Sequence, residues 1–274
     1  MSNVKVIGVP YTAGTRVETS YTMDQQNGPN AIRATYQTIT RGYDVPKEFE
    51  DLGDLRCDNT VPSVLKAVEE KVGDVMRKGE IPFLLGGVHT FSLASFRALS
   101  RIRRDFSVIY FDAHPDLMPH PEINYGSHMF YAIEEGVVDP KRLAFLGIRQ
   151  VERPERKILD DHGIFNVAAL EFEGLSCAAI LSNIRDRLPP PYYFSIDLDV
   201  LSPCEAPGVG NPYPGGIQFR ELLYIANELC KSEVLGIEIV QLSPLSDRND
   251  ETAAIAAVLL QQLSMTIAAK TVRH

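Results

Sequence analysis

Apolar residues fall along this chain in short unbroken runs, set between longer stretches with helical spacing. The runs are VKVIGVP (4–10), IPFLLGG (81–87), FSVIYFD (106–112), RLAFLGIR (142–149), PYYFSID (191–197) and EVLGIEIVQL (233–242). Continuous apolar runs predict strands buried on both faces, as the strands of a parallel sheet are. PSVLKAVEEKVGDVMRKG (62–79) and TAAIAAVLLQQLSMTIAA (252–269) instead carry apolar residues at helical intervals. Strand and helix alternate throughout, which predicts a three-layer α/β/α sandwich around a parallel sheet. No linker, internal repeat or low-complexity tract interrupts the pattern, so residues 1–274 are read as a single domain.

Composition narrows the classes of function. Hydrophobic residues make up 45% of the chain, enough for a full core, and the net charge is −9. No Lys/Arg block is present, so a nucleic-acid partner is not expected. An anionic membrane surface would repel the chain, and no apolar run approaches the roughly 20 residues that span a bilayer. The start, MSNVKVIGVPYTAG, lacks a basic-then-apolar signal pattern. Cys57, Cys177, Cys204 and Cys230 are scattered without a CxxC pair and read as reduced thiols. A cytoplasmic protein is the expectation.

Ligands of parallel α/β sheets bind beyond the carboxyl ends of the strands, and the polar clusters of this chain fall there. GGVH places His89 after one apolar run, FDAHPD places Asp112, His114 and Asp116 after another, and SIDLD places Asp197 and Asp199 after a third. Burying such groups unpartnered costs several kcal/mol, so hydrogen bonds, a cation or a metal must compensate them. In extended backbone, positions i, i+2 and i+4 share a face, so Asp112, His114 and Asp116 are expected to converge, with Asp197 and Asp199 joining them. The four carboxylates balance two divalent cations. Oxygen ligands with some imidazole suit Mn²⁺, with Zn²⁺, Co²⁺, Ni²⁺ or Fe²⁺ as alternatives. Two such ions sharing one water would lower its pKa toward neutrality. Taken singly, HPD or DLD is more often a cap, a turn or a solvated loop; three clusters, each behind an apolar strand, favour the metal centre. His120, His162 and His274 lack such company and read as surface residues. APGVGNPYPGG (206–216) does not run from a strand into a helix, so it reads as a rigid substrate-side loop and not a phosphate loop.

With these motifs the chain resembles the ureohydrolase family, the arginases, agmatinases and their relatives. That family carries GGDH, DAHxD and SxDxDxxDPxxAPGTGTPxPGG in this order. The matches here are GGVH, DAHPD and SIDLDVLSPCEAPGVGNPYPGG, while EEGVVDPKRLAFLGIR (134–149) and ETAAIAA (251–257) resemble the agmatinase branch. The resemblance implies an arginase-like fold, two Mn²⁺ ions, and attack of a metal hydroxide on a small linear guanidino or amidine substrate, releasing urea. It implies one ion on His89, Asp112, Asp116 and Asp197 and the other on Asp112, His114, Asp197 and Asp199, with Asp112 and Asp197 bridging. It also implies a homo-oligomer, a trimer or hexamer. His128, in NYGSHMF, stands near the family's HG(T/M)P segment, where a histidine passes a proton to the leaving amine. A catalytic and a structural reading of His128 both stand. Asp116 is counted with His128 as a catalytic candidate, and Arg149 and Glu152 as candidate substrate contacts.

Three positions depart from the family pattern. Gln241, in QLSP, stands where the family has the glutamate that pairs with the substrate guanidinium. A carboxylate gives a cation a charge-assisted, bidentate pair, whereas an amide offers one acceptor oxygen. Gln241 is therefore expected against the amidine end of the substrate, shifting preference away from arginine and agmatine. The competing reading has Glu238 supply the charge. Val88 replaces the Asp of GGDH, so the orientation of His89 must come from elsewhere, and Ser202 replaces the Asp of the xxDP element. Two further readings follow: a formimidoylglutamase-like hydrolase releasing formamide, and a catalytically silent relative that binds metal.

Overall fold

The computed structural model describes residues 3–14 and 24–271. Its strands are β1 (Val4–Val9), β2 (Glu50–Asp54), β3 (Ile81–Gly86), β4 (Ser107–Phe111), β5 (Leu143–Ile148), β6 (Phe165–Ala168), β7 (Tyr192–Asp197) and β8 (Val234–Val240). The helices are α1 (Gly28–Thr40), α2 (Val61–Arg77), α3 (Ser92–Ile102), α4 (His128–Glu134), α5 (Arg153–His162), α6 (Cys177–Arg187), α7 (Phe219–Cys230) and α8 (Glu251–Thr271). The six apolar runs are the strands β1, β3, β4, β5, β7 and β8, and both helical stretches are helices. All eight strands form one parallel sheet in the order β2-β1-β3-β8-β7-β4-β5-β6.

Side chains alternate between two cores, one on each face. Phe83, Leu85, Ile109, Phe111, Phe194 and Ile196 point toward α1, α6, α7 and α8, meeting Ile32, Ile180, Leu222 and Leu260. Leu84, Val108, Tyr110 and Tyr193 point the other way, toward Val68, Leu99, Met129 and Leu159 of α2 to α5. The period of two in a strand thus feeds both helical layers, giving the expected sandwich.

Two strands escape the apolar pattern. β2, EDLGD, is mostly exposed and pairs only with β1 at the sheet edge. Ion pairs hold it: Lys5 Nζ lies 2.5 Å from Glu50 Oε2, and Arg33 Nε 2.8 Å from Asp51 Oδ2. β6 is a four-residue strand on the opposite edge. Helix α8 differs from expectation in another way. Its residues Glu251–Lys270 have a mean hydropathy of 1.6, long and apolar enough by composition to cross a bilayer. The helix packs against α1 and α7, with Leu259, Leu260 and Leu263 in the core, so its apolar length follows from burial within the fold. The four cysteines are free thiols. His162 is exposed and His120 half-buried, and His274 lies outside the described residues.

Chain order determines where the site lies. From β3 the chain crosses to β4, leaving two places that β7 and β8 fill later. The loops after β3, β8, β7 and β4 therefore meet at one stretch of the carboxyl edge. Gly87, just after β3, runs there against the β1 exit: its N–H donates to Val9 O at 2.8 Å. A Cβ on Gly87 would lie 2.0 Å from the Tyr11 carbonyl oxygen. Gly87→Ala should lower stability by about 1–3 kcal/mol and shift the adjacent His89, measured by denaturant unfolding; a change of under half a kcal/mol would contradict this packing.

Candidate metal centre

The FDAHPDL segment leaves the sheet sooner than its sequence suggests. β4 ends at Phe111, and Asp116 has φ +51°, in the left-handed region that Asp tolerates better than most residues. The turn, not an extended strand, brings Asp116 back toward Asp112. Asp199 likewise lies in a short 3₁₀ turn, Leu198–Val200, at whose start Asp197 Oδ1 accepts from the Asp199 N–H at 2.8 Å.

Seven side chains gather there in three overlapping groups. His89, Asp112 and Asp197 form the inner group, Asp112, His114 and Asp199 the outer one, and His89, Asp116 and His128 a third, fully buried one. His89 Nδ1 lies 3.1 Å from Asp112 Oδ2, 3.2 Å from Asp197 Oδ2 and 3.4 Å from Asp116 Oδ2. His114 Nδ1 lies 3.3 Å from Asp112 Oδ1 and 3.1 Å from Asp199 Oδ2. The inner group is buried; His114, 18% exposed, stands at the rim.

Hydrogen bonds fix the tautomer of His89. Ser195 Oγ donates to Glu238 Oε1 at 2.7 Å, so it accepts from His89 Nε2 at 2.7 Å. Neutral His89 then presents a bare Nδ1 to the carboxylates. Glu238 is itself fully buried and accepts further from Tyr193 at 2.6 Å and Ser95 at 3.2 Å. This chain orients His89 without the Asp that Val88 replaces. It also engages Glu238 fully beneath the sheet edge, away from the cavity. His114 Nε2 faces Gln150 Oε1 at 2.9 Å, which directs its Nδ1 inward in the same manner.

These donors fit a divalent ion. Asp112 Oδ2 is buried with no hydrogen-bond donor, and it faces the bare His89 Nδ1. Two acceptors opposed at 3.1 Å repel unless a cation or a proton lies between them. Protons do so when no ion is bound. Burial, then the neighbouring Asp112, drive the Asp116 carboxyl well above the usual carboxylate range. Burial, then Asp199 and Asp112, do the same for Asp197. Burial disfavours the charged imidazoles of His89 and His114, but the aspartates around them prevail and hold both well above the ordinary value.

A cavity of about 150 Å³ opens onto the outer group, lined by His114, Asp116, Asp197, Asp199, Gln241 and Glu152 among others. Gln241 has φ +69°, ends β8, and has a buried Oε1 with no hydrogen-bond partner. Glu152 stands at the rim, beside the buried Glu155, which accepts from the N–H groups of Leu117 and Glu152. Arg149 turns elsewhere. Its guanidinium donates to the carbonyls of Asp199 at 2.6 Å, Val200 and Leu201 at 3.2 Å, and Tyr213 at 3.0 Å. It braces the loop that carries Asp199 and borders a separate cleft with Tyr213 and Glu221. His128 is fully buried beneath the cavity, its Nδ1 3.0 Å from the Tyr125 carbonyl. Asn211, from the 206–216 loop read as substrate-side, and Tyr125, from NYGSHMF, also line the cavity, as do Gln150 and Glu155, which no motif marked. Only their position relative to the loops reveals them.

A parallel α/β sheet with two linked imidazole–carboxylate groups at its carboxyl edge defines a class, that of metal-dependent hydrolases. The comparisons give the family: the arginase family profile matches residues 2–266, and the chain belongs to that family. The chain is 29% identical to proclavaminate amidinohydrolase of Streptomyces clavuligerus, over 95% of this chain and 87% of that one. It is 30% identical to guanidinopropionase of Pseudomonas aeruginosa, over 98% and 88%. The structure of agmatine ureohydrolase from Thermoplasma volcanium superposes with a TM-score of 0.87 at 26% identity, covering 100% of this chain and 92% of that one. These relatives are named as hydrolases acting on C–N bonds of amidines, and arginase-family enzymes are binuclear metal enzymes.

The raised imidazoles of His89 and His114 give a signed pH dependence. Stability from a raised group is full below its unfolded-state pKa and is lost as pH rises through the folded value. Chelated protein should therefore lose thermal stability as pH rises above 6.5, the ordinary imidazole value. Protein loaded with Mn²⁺ should not, since ions replace the protons. Thermal unfolding across pH 6.5–9 with and without chelator tests this; parallel curves would contradict it.

Proposed function

We propose that this chain hydrolyses a C–N bond of a small linear guanidine or amidine and uses manganese as its ion. The observation that carries the reading is the convergence of two donor groups sharing Asp112 beside a cavity that Asp197, His114, Asp199 and Gln241 line. In this reading one ion takes His89, Asp112, Asp116 and Asp197, and the other takes Asp112, His114, Asp197 and Asp199. Ions held there supply Lewis acidity and a water activated at neutral pH. The oxygen-rich donor set supports manganese over softer metals. The reading includes a cytoplasmic location and a homo-oligomeric assembly, both resting on composition and family resemblance.

The chain's own residues do the rest. The outer group, half open at His114, meets the substrate. The bare Gln241 Oε1 accepts one N–H from its amidine end and leaves the positive charge uncompensated. A less basic amidine suits this partner better than the guanidinium of arginine or agmatine. Asp116 completes the inner group. His128, enclosed by Tyr125 and Tyr110, supports that group from below. The neutral Gln241 also suits a formimino group, whose hydrolysis releases formamide.

Mn²⁺-loaded protein should release urea or formamide from at least one of arginine, agmatine, 4-guanidinobutyrate, 3-guanidinopropionate and N-formimino-glutamate. Silence across the panel with two ions bound would favour the catalytically silent relative. Gln241→Glu should raise turnover of guanidinium substrates roughly 30-fold or more, on about 2–4 kcal/mol for a desolvated charge pair. Unchanged rates on arginine and agmatine would remove Gln241 from the substrate site.

A further inference from the structure

Tyr110 belongs to no ligand set, yet its hydroxyl lies against one. It donates to Asp116 Oδ2 at 2.6 Å, and stands 3.2 Å from His89 Nδ1 and 3.1 Å from His128 Nε2. The ring is fully buried, stacked on His89 with centroids 4.9 Å apart and planes 4° from parallel, and met edge-on by Phe145 at 5.2 Å. Its position is therefore fixed by packing, against His89 on its face and Phe145 at its edge.

Asp116 needs such a fixed partner. It lies further beyond β4 than Asp112 does and, unlike Asp112, adopts a left-handed backbone, φ +51°. Its carbonyl is tied to α4 by the Phe130 N–H at 3.2 Å. Among the described residues, Tyr110 supplies the hydroxyl that donates to its carboxylate. A carboxylate on a turn has two side-chain torsions to settle, and a short hydrogen bond from an immobile phenol settles them. The outer group is built without Tyr110, since His114 has Gln150 as its partner.

We propose that Tyr110 is a positioning residue whose hydroxyl, held in place by the packing of its ring, aims the Asp116 carboxylate at the ion held with His89. The proposal rests on the reading of Asp116 as a metal ligand. It follows that removing the hydroxyl weakens one ion of the pair and spares the other. Partners of this kind are worth 10- to 100-fold in metal affinity.

The test titrates chelated full-length protein with Mn²⁺ by calorimetry and records the visible absorption of the Co²⁺-loaded form. Tyr110→Phe should weaken one of two Mn²⁺ equilibria roughly 10- to 100-fold, leave the other unchanged and alter the Co²⁺ spectrum. Tyr192→Phe is the control, because that buried hydroxyl donates to Leu188 O at 2.9 Å, away from the centre; it should change neither. Wild-type affinities with an unchanged spectrum in Tyr110→Phe, or equal losses in both variants, would overturn the proposal. Asp116→Ala separates the two claims. Two wild-type affinities there would defeat the ligand reading itself, whereas a loss there with none in Tyr110→Phe would defeat the role of Tyr110 alone.

Discussion

Negative charge that cannot reach water dominates this molecule. Asp112, Asp116, Asp197 and Asp199 are each at most 6% exposed and lie within a few ångströms of two imidazoles. Like charges so close, in a medium that screens weakly, must be neutralised by protons or by cations. The sheet is what forces them together. Four neighbouring strands end at one edge, and each contributes a loop to the same small volume. With no ion, protons fill the role, raising Asp116, Asp197, His89 and His114. An ion with the same donors does it more completely, so metal and proton compete for one set of lone pairs.

Beneath that set lies a layer of neutral hydroxyls. Ser195, Tyr193 and Ser95 converge on Glu238, and Tyr110 converges on Asp116. Hydroxyls can donate and accept at once, so they fix the direction of an imidazole or carboxylate without adding charge. Ser195 does this most plainly: donating to Glu238 obliges it to accept from His89 Nε2, and the Nδ1 of His89 is thereby turned toward the aspartates. Arg149 serves the same purpose by other means. Its charge goes to backbone carbonyls, which hold the loop after β7 in place.

At the cavity amides join the acids Asp116, Asp197, Asp199, Glu152 and Glu155. Gln241, Gln150 and Asn211 are amides, and they line the space beside the outer group. In the proposed reading, a substrate would meet an amide and not a carboxylate at position 241. The left-handed backbone of Gln241 turns the chain off β8 and sets that amide beside the candidate centre.

Much of this was written in the sequence. Unbroken apolar runs predict six of the eight strands because strands buried on both faces leave no polar position, and carboxylates and imidazoles at the ends of three of them have no structural use that repays their burial. β2 was invisible because an edge strand held by ion pairs has no hydrophobic signature, and β6 because four residues are too few to show a period. Convergence of FDAHPD was legible, but its cause was not: a left-handed turn at Asp116, and not strand alternation, closes the group. The parts played by Ser195, Glu238 and Tyr110 depended wholly on which strands become neighbours. β8 separates from β3 by well over a hundred residues and pairs beside it in space, so no local pattern can say that Glu238 lies under His89. The sequence carries the chemistry because residue type fixes what each group can donate, accept or bind; tertiary structure decides which groups meet, because strand order is set by packing of the whole sheet.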